Sequence, residues 1–210
     1  LVDDIEQRMD RLGWQTAHIV GNSLGGWVGF ELERRGRART LTAIAPAGGW
    51  SQHSVSKYET VLKFILGGPA LIAARLLGPR IIDLPFARRL ATLPVSGPAD
   101  GPPDAELRDL VEDATHCSAY LQLLVKTLRM PGLLELASLG APTQLVVCEK
   151  DRVFPAPRGH RYFLKHLPAS AEVVRLDGVG HIPMLEAPGR VTEVIASFVD
   201  RHRKPQQAFG

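Results

Sequence analysis

The sequence is poor in cysteine: Cys117 and Cys148 are the only two in 210 residues. Two thiols make no disulfide framework, and no Cys-x-x-Cys pair or His/Cys cluster has metal-ligand spacing. No metal site is therefore expected, and a reduced, cytoplasmic setting is. Runs of Lys and Arg are also missing, although 25 basic residues against 22 acidic ones leave a net charge of +3. A nucleic-acid footprint needs clustered positive charge, so no nucleic-acid partner is expected. Long apolar runs are absent too. The longest uncharged, mostly apolar stretch covers residues 64–74, short of the roughly 20 residues that a spanning helix needs. No membrane span is expected on that count, and no secretory signal pattern precedes the first helix.

What is present suits a globular chain. The length corresponds to about 1.4 typical domains, and 45% hydrophobic with 22% charged residues is ordinary for a packed core. Leu1, Ile5, Met9 and Leu12 recur at helical spacing before Gly13, so the chain opens inside an amphipathic helix. Residues 16–21, 40–45, 143–148 and 172–176 read as short buried strands. Helical patterns at 24–35 and from Pro188 onward alternate with them. This predicts an α/β fold with a parallel sheet covered by helices on both faces. Between residues 50 and 140 the character changes. Helices are expected at 57–66, 69–77, 104–117 and 118–130, with a Pro- and Gly-rich loop at 94–103 and no strand. The expected organisation is a core half at 1–49, a helical cap at 50–140, a second core half at 141–210, and a frayed tail from 204.

The chemistry is concentrated at Gly21-Asn22-Ser23-Leu24-Gly25-Gly26, between a predicted strand and a predicted helix. Composition alone gives a Gly-x-Ser-x-Gly match in about 8% of shuffled chains, so the placement carries more weight than the pattern. A serine on such a turn adopts a strained backbone, and the glycines two residues either side avoid collisions. Its hydroxyl then projects at the sheet's C-terminal edge, beside a helix N-terminus that favours developing negative charge. A serine nucleophile needs a base, and the base needs an orienting acid. His181, in Gly180-His181-Ile182-Pro183, follows the last strand, and Asp151 follows the strand at 143–148. Asp177 is the alternative acid. His18 is read as a core or sheet-edge residue, and His53, His160, His166 and His202 as surface residues. His116 beside Cys117 lacks the further ligands a metal needs. Arg75, Arg80, Arg88 and Arg89 fall in the helical stretch, where they either attract an anionic substrate or sit in solvent.

These motifs, in the chain order Ser, Asp, His, resemble the α/β-hydrolases of the cap-bearing kind, which include esterases, lipases, thioesterases and C–C bond hydrolases. The resemblance runs from Leu1 to about Arg203 and also draws on Glu186 and Pro188; Cys148 stands where members often carry glycine. It implies a serine hydrolase acting on a small-molecule acyl substrate, with Ser23 as nucleophile, His181 as base and acid, Asp151 as its orienter and the Leu24 N–H as one oxyanion-hole donor. It implies no cofactor. Epoxide hydrolases and haloalkane dehalogenases of similar fold carry Asp at the elbow, so Ser23 implies acyl transfer through an ester intermediate. The alternatives are C–C bond hydrolysis and ligand binding without catalysis. The family's second oxyanion donor and several strands come before the elbow, and residues 1–22 supply neither. The strand at 16–21 is therefore expected to be an open edge. Either a longer chain or a partner chain is expected to complete the sheet, and this chain alone is expected to be weakly active.

Overall fold

A computed structural model describes residues 1–92, 104–133 and 135–203. The expected loop at 94–103 and the expected tail from 204 lie outside the described residues. Four strands, β1 (Ala17–Asn22), β2 (Ala38–Ile44), β3 (Thr143–Cys148) and β4 (Glu172–Leu176), form one sheet in that order. Every neighbouring pair is parallel, so all four C-terminal ends lie on one edge. Helices α1 (Val2–Arg11) and α2 (Leu24–Arg34) flank β1 in the chain, and five more follow β2 and β3. These are α3 (Val55–Leu77), α4 (Pro85–Thr92), α5 (Asp104–Thr115), α6 (Tyr120–Arg129) and α7 (Arg158–His166). The short α8 (Pro183–Glu186) and the long α9 (Pro188–Arg201) complete the described elements.

Alternation along the strands sorts the core into two layers. Leu41, Ala43, Leu145 and Val147 point to one face, where they meet Phe30 of α2 and Phe163 of α7. Those two rings stack 5.5 Å apart. Ile44, Val146 and Cys148 point to the other face and meet Val191, Val194 and Ile195 of α9. Glu33, buried at the end of α2, accepts hydrogen bonds from the Gly140 and Ala141 amides at 2.8 Å each and so fixes the entry to β3. β2 and β3 lie in the middle of the sheet and are almost fully buried. β1 is an edge strand, as the sequence leads one to expect, and its Val20 is exposed.

α3 to α6 enter between β2 and β3, and no strand occurs among the described residues there. One feature differs from the sequence reading. Gly67-Gly68-Pro69 signals a break, yet α3 runs unbroken through Pro69. Proline forfeits one N–H bond and crowds the carbonyl four residues back; a Cβ added at either glycine before it would meet nothing within 4 Å, so the backbone there has open space in which to adjust. The joined helix of 23 residues is long and apolar enough, by length and composition, to cross a membrane, which the stretch at 64–74 alone is not. The buried Lys57 pins α3 to α6: its ammonium donates to the Leu128 and Met130 carbonyls at 2.9 and 2.7 Å and to the Gln52 carbonyl at 3.3 Å. It therefore satisfies carbonyls at the end of α6 that have no intrahelical donor.

Candidate active site

Ser23 occupies the turn between β1 and α2 with φ 53° and ψ −115°, a region costly for any residue with a side chain. The surroundings hold it there. Its N–H donates to the Ile44 carbonyl at 3.0 Å, and its carbonyl accepts from the amides of Gly26, Trp27 and Ala47 at 3.0, 3.2 and 2.9 Å. A Cβ on Gly21 would sit 2.1 Å from the Gly25 carbonyl oxygen, so only glycine fits. The second demanding position is Gly26, where a Cβ would lie 2.6 Å from the Pro46 side chain. A Cβ on Gly25 would meet nothing within 4 Å, so of the two glycines expected to be sterically required around Ser23, Gly21 is and Gly25 is not. Leu24 opens α2, so its amide belongs to the first turn, whose N–H groups lack intrahelical acceptors.

Asp151 and His181 meet at the same sheet edge. Their side chains are 7% or less exposed, and His181 Nδ1 lies 2.9 Å from Asp151 Oδ2. The other carboxylate oxygen, Oδ1, accepts from the Val153 and Phe154 amides at 2.8 Å each, locking the carboxylate against the loop that follows β3. Phe154 packs edge-on against the imidazole with centroids 5.1 Å apart. Glu186 accepts the Gly180 amide with both oxygens at 3.1 Å and steadies the loop from the other side. Asp177, the alternative acid, instead contributes its backbone carbonyl to Arg190.

The elbow and the histidine loop are joined through Asn22, a residue that pattern reading passes over as a variable position. Its side-chain amide donates to the Ile44 carbonyl at 3.1 Å and to the His181 carbonyl at 2.9 Å. Ser23 is thus one residue from a direct tie to His181, although its hydroxyl makes no hydrogen bond to the imidazole among the described residues. A small cleft, with about 20 Å³ of water-sized space, opens nearby, lined by Pro46, Trp50, Thr60, Lys63 and Phe154 among others. Lys63 donates to the Arg152 and Val153 carbonyls, so α3 touches the acid loop directly.

His160 is not a surface residue. It is 1% exposed, and neither ring nitrogen has a hydrogen-bond partner among the described residues. Burial holds its pKa below the ordinary histidine value, with Asp151 opposing the shift and His181 and Arg175 adding to it. α7 starts against the acid loop because Gly159 leaves space for the Phe154 backbone, and this carries His160 inward. Burial likewise pushes the Cys148 thiol up to about 12, helped by the charges of Asp151 and Glu186. His18 bonds Thr40 at 2.9 Å within the sheet, as a sheet-edge residue would. No group of three or more potential metal ligands occurs among the described residues.

The sequence pattern of the alpha/beta hydrolase family matches residues 1–194. A curated relative, the epoxide hydrolase EphH of Mycobacterium tuberculosis, is 56% identical over 200 residues, covering 95% of this chain and 94% of its own length. Among solved structures, a bacterial membrane phospholipase A superposes with a TM-score of 0.66 at 23% identity. The alignment covers 97% of this chain, but the chain spans only 63% of that protein's length. The 2-hydroxy-6-oxo-6-phenylhexa-2,4-dienoate hydrolase of Rhodococcus sp. strain RHA1 superposes with a TM-score of 0.66 at 21% identity, over 95% of this chain and 69% of its own. At these identities the two structures establish a shared fold and nothing finer.

Proposed function

Given that this chain belongs to the alpha/beta hydrolase family, we propose that it is a serine hydrolase cleaving carboxylic ester or thioester bonds through an acyl-enzyme. The observation that carries the reading is the buried Asp151–His181 pair at 2.9 Å, at the same sheet edge as the strained Ser23 elbow. With the Nδ1 proton held toward Asp151, His181 Nε2 carries the lone pair and takes the Ser23 proton as Oγ bonds to the carbonyl carbon. The oxyanion that forms faces the start of α2, where the Leu24 N–H is one donor. Expulsion of the alcohol or thiol, protonated by His181, leaves Ser23 acylated. Water, deprotonated by the same imidazole, then releases the acid and restores the serine. The test is labelling by a fluorophosphonate probe, which should modify Ser23 and be lost in Ser23→Ala. Absence of labelling in a folded wild-type chain would defeat the proposal.

The similarity to an epoxide hydrolase favours a second reading. Attack of Ser23 on an epoxide would leave an ether, which water does not cleave as it cleaves an ester. Epoxide opening at this site would therefore run without a covalent intermediate, with the Asp151–His181 pair activating water against the ring carbon. The two readings separate on one variant: Ser23→Ala abolishes ester turnover under the first and spares diol formation under the second.

A further inference from the structure

The strands that carry the site do not all lie side by side. In the order β1-β2-β3-β4, the loop bearing His181 leaves β4 and passes the ends of β3 and β2 before it reaches Ser23 beside β1. That is a span of about 14 Å at roughly 4.8 Å per strand. The ties of this loop to the acid loop are redundant. Glu149 accepts the Gly178 amide at 2.7 Å, the Lys150 amide donates to the Val179 carbonyl at 2.9 Å, and Asp151 holds His181 Nδ1 at 2.9 Å. Glu186 adds a bond within the histidine loop itself. Toward the elbow there is a single tie. Among the described residues, the Asn22 amide on the His181 carbonyl at 2.9 Å is the only hydrogen bond between residues 177–182 and residues 21–26.

Sheet register explains why Asn22 can make it. Asn22 ends β1 and pairs with Ile44. Ile44 packs in the layer under α9, which also holds Val179 and Met184 from either side of His181, so the Asn22 side chain points to the face where the histidine loop runs. Nδ2 has two hydrogens, and both are used, one on the Ile44 carbonyl at 3.1 Å and one on the His181 carbonyl. The Ile44 carbonyl also accepts the Ser23 amide at 3.0 Å. The backbones of Ser23 and His181 therefore hang from one hub, the Ile44 carbonyl and the Asn22 amide.

We propose that Asn22 is a positioning residue that sets the separation between Ser23 Oγ and His181 Nε2, while Asp151 sets the tautomer and tilt of the ring; this role rests on the hydrolase reading. A misplacement of about 1 Å costs roughly 100-fold in rate, so loss of the amide should slow attack by the serine without releasing His181 from Asp151. Aspartate has the shape of asparagine but no N–H, and would turn oxygens toward both carbonyls. Asn22→Asp should therefore be no better than Asn22→Ala.

The experiment measures the rate of fluorophosphonate labelling of Ser23 in wild type, Asn22→Ala, His181→Ala and the double variant, each checked by thermal unfolding, with Asn22→Asp measured alongside. Asn22→Ala should label about 10- to 100-fold more slowly than wild type, and should keep the downfield proton resonance of the Asp151–His181 hydrogen bond. In the His181→Ala background the same substitution should change the rate by less than about twofold, because an absent imidazole cannot be misplaced. Should Asn22→Ala unfold, Asn22→Asp takes its place in the cycle. Equal losses in the two backgrounds would assign Asn22 to the elbow's own structure and overturn the proposal. So would a folded Asn22→Ala or Asn22→Asp chain that labels at the wild-type rate. No labelling of the folded wild type overturns the hydrolase reading itself, and the wild-type chain alone tells that failure apart from the others.

Discussion

Replacement of Asp151 by Asn tests the proposed catalytic pair while leaving most of its surroundings intact. Oδ1 accepts two amides at 2.8 Å, and an asparagine carbonyl can keep both. The other oxygen, 2.9 Å from His181 Nδ1, becomes an NH2 group. A donor then faces Nδ1, so the imidazole must present its lone pair there and carry its proton on Nε2. In that tautomer His181 cannot accept the Ser23 proton. The expected loss is about 10⁴-fold in kcat, or about 5.4 kcal/mol of transition-state stabilisation. The cost in stability is much smaller, about 1.5–3 kcal/mol for one charge-assisted hydrogen bond. Two readouts separate these effects: the rate of p-nitrophenyl ester hydrolysis or fluorophosphonate labelling, and thermal unfolding. A variant that melts within a few degrees of the parent yet loses less than about tenfold in rate would refute the assignment of Asp151 as the orienting acid.

Three further outcomes follow from local packing. Gly21→Ala, whose Cβ would meet a backbone oxygen at 2.1 Å, should destabilise the fold by about 3 kcal/mol or more, whereas Gly25→Ala should shift the denaturation midpoint little. A thiol reagent applied to the native chain should modify the exposed Cys117, with Cys148, its pKa raised to about 12 by burial, reacting only after denaturation. His160, whose pKa is held down by burial, leaves the unfolded chain binding an extra proton as pH falls below about 6.5. Stability therefore drops with acidification, by up to about 1.4 kcal/mol per pH unit until the native His160 also titrates. Unfolding curves of His160→Leu should show a shallower acid limb, and an unchanged slope would exclude this residue as its source.

How much of the site could be read from the sequence depends on whether a feature is local. β3 and β4 are short valine- and leucine-containing segments bounded by turn residues, and their ends match the sequence reading. Ser23, Asp151 and His181 each follow a strand, so a parallel sheet is enough to bring them to one edge. The contacts between those segments are not local. Nothing around Asn22 announces that its amide bridges β2 to the histidine loop, because both acceptors are carbonyls, a group every residue has. His160 sits among Arg158, Arg161 and Lys165, a polar neighbourhood that suggests solvent; only the helical phase of α7, with Phe163 three residues on, turns it inward. α3 fails in the opposite way. Gly67-Gly68-Pro69 is a strong local stop signal, yet a break there would expose further unpaired backbone groups on both sides, whereas the unbroken helix forfeits only the proline's bond. Continuity also aligns the apolar positions on either side of Pro69 into one stripe, which two short helices at independent angles would not produce.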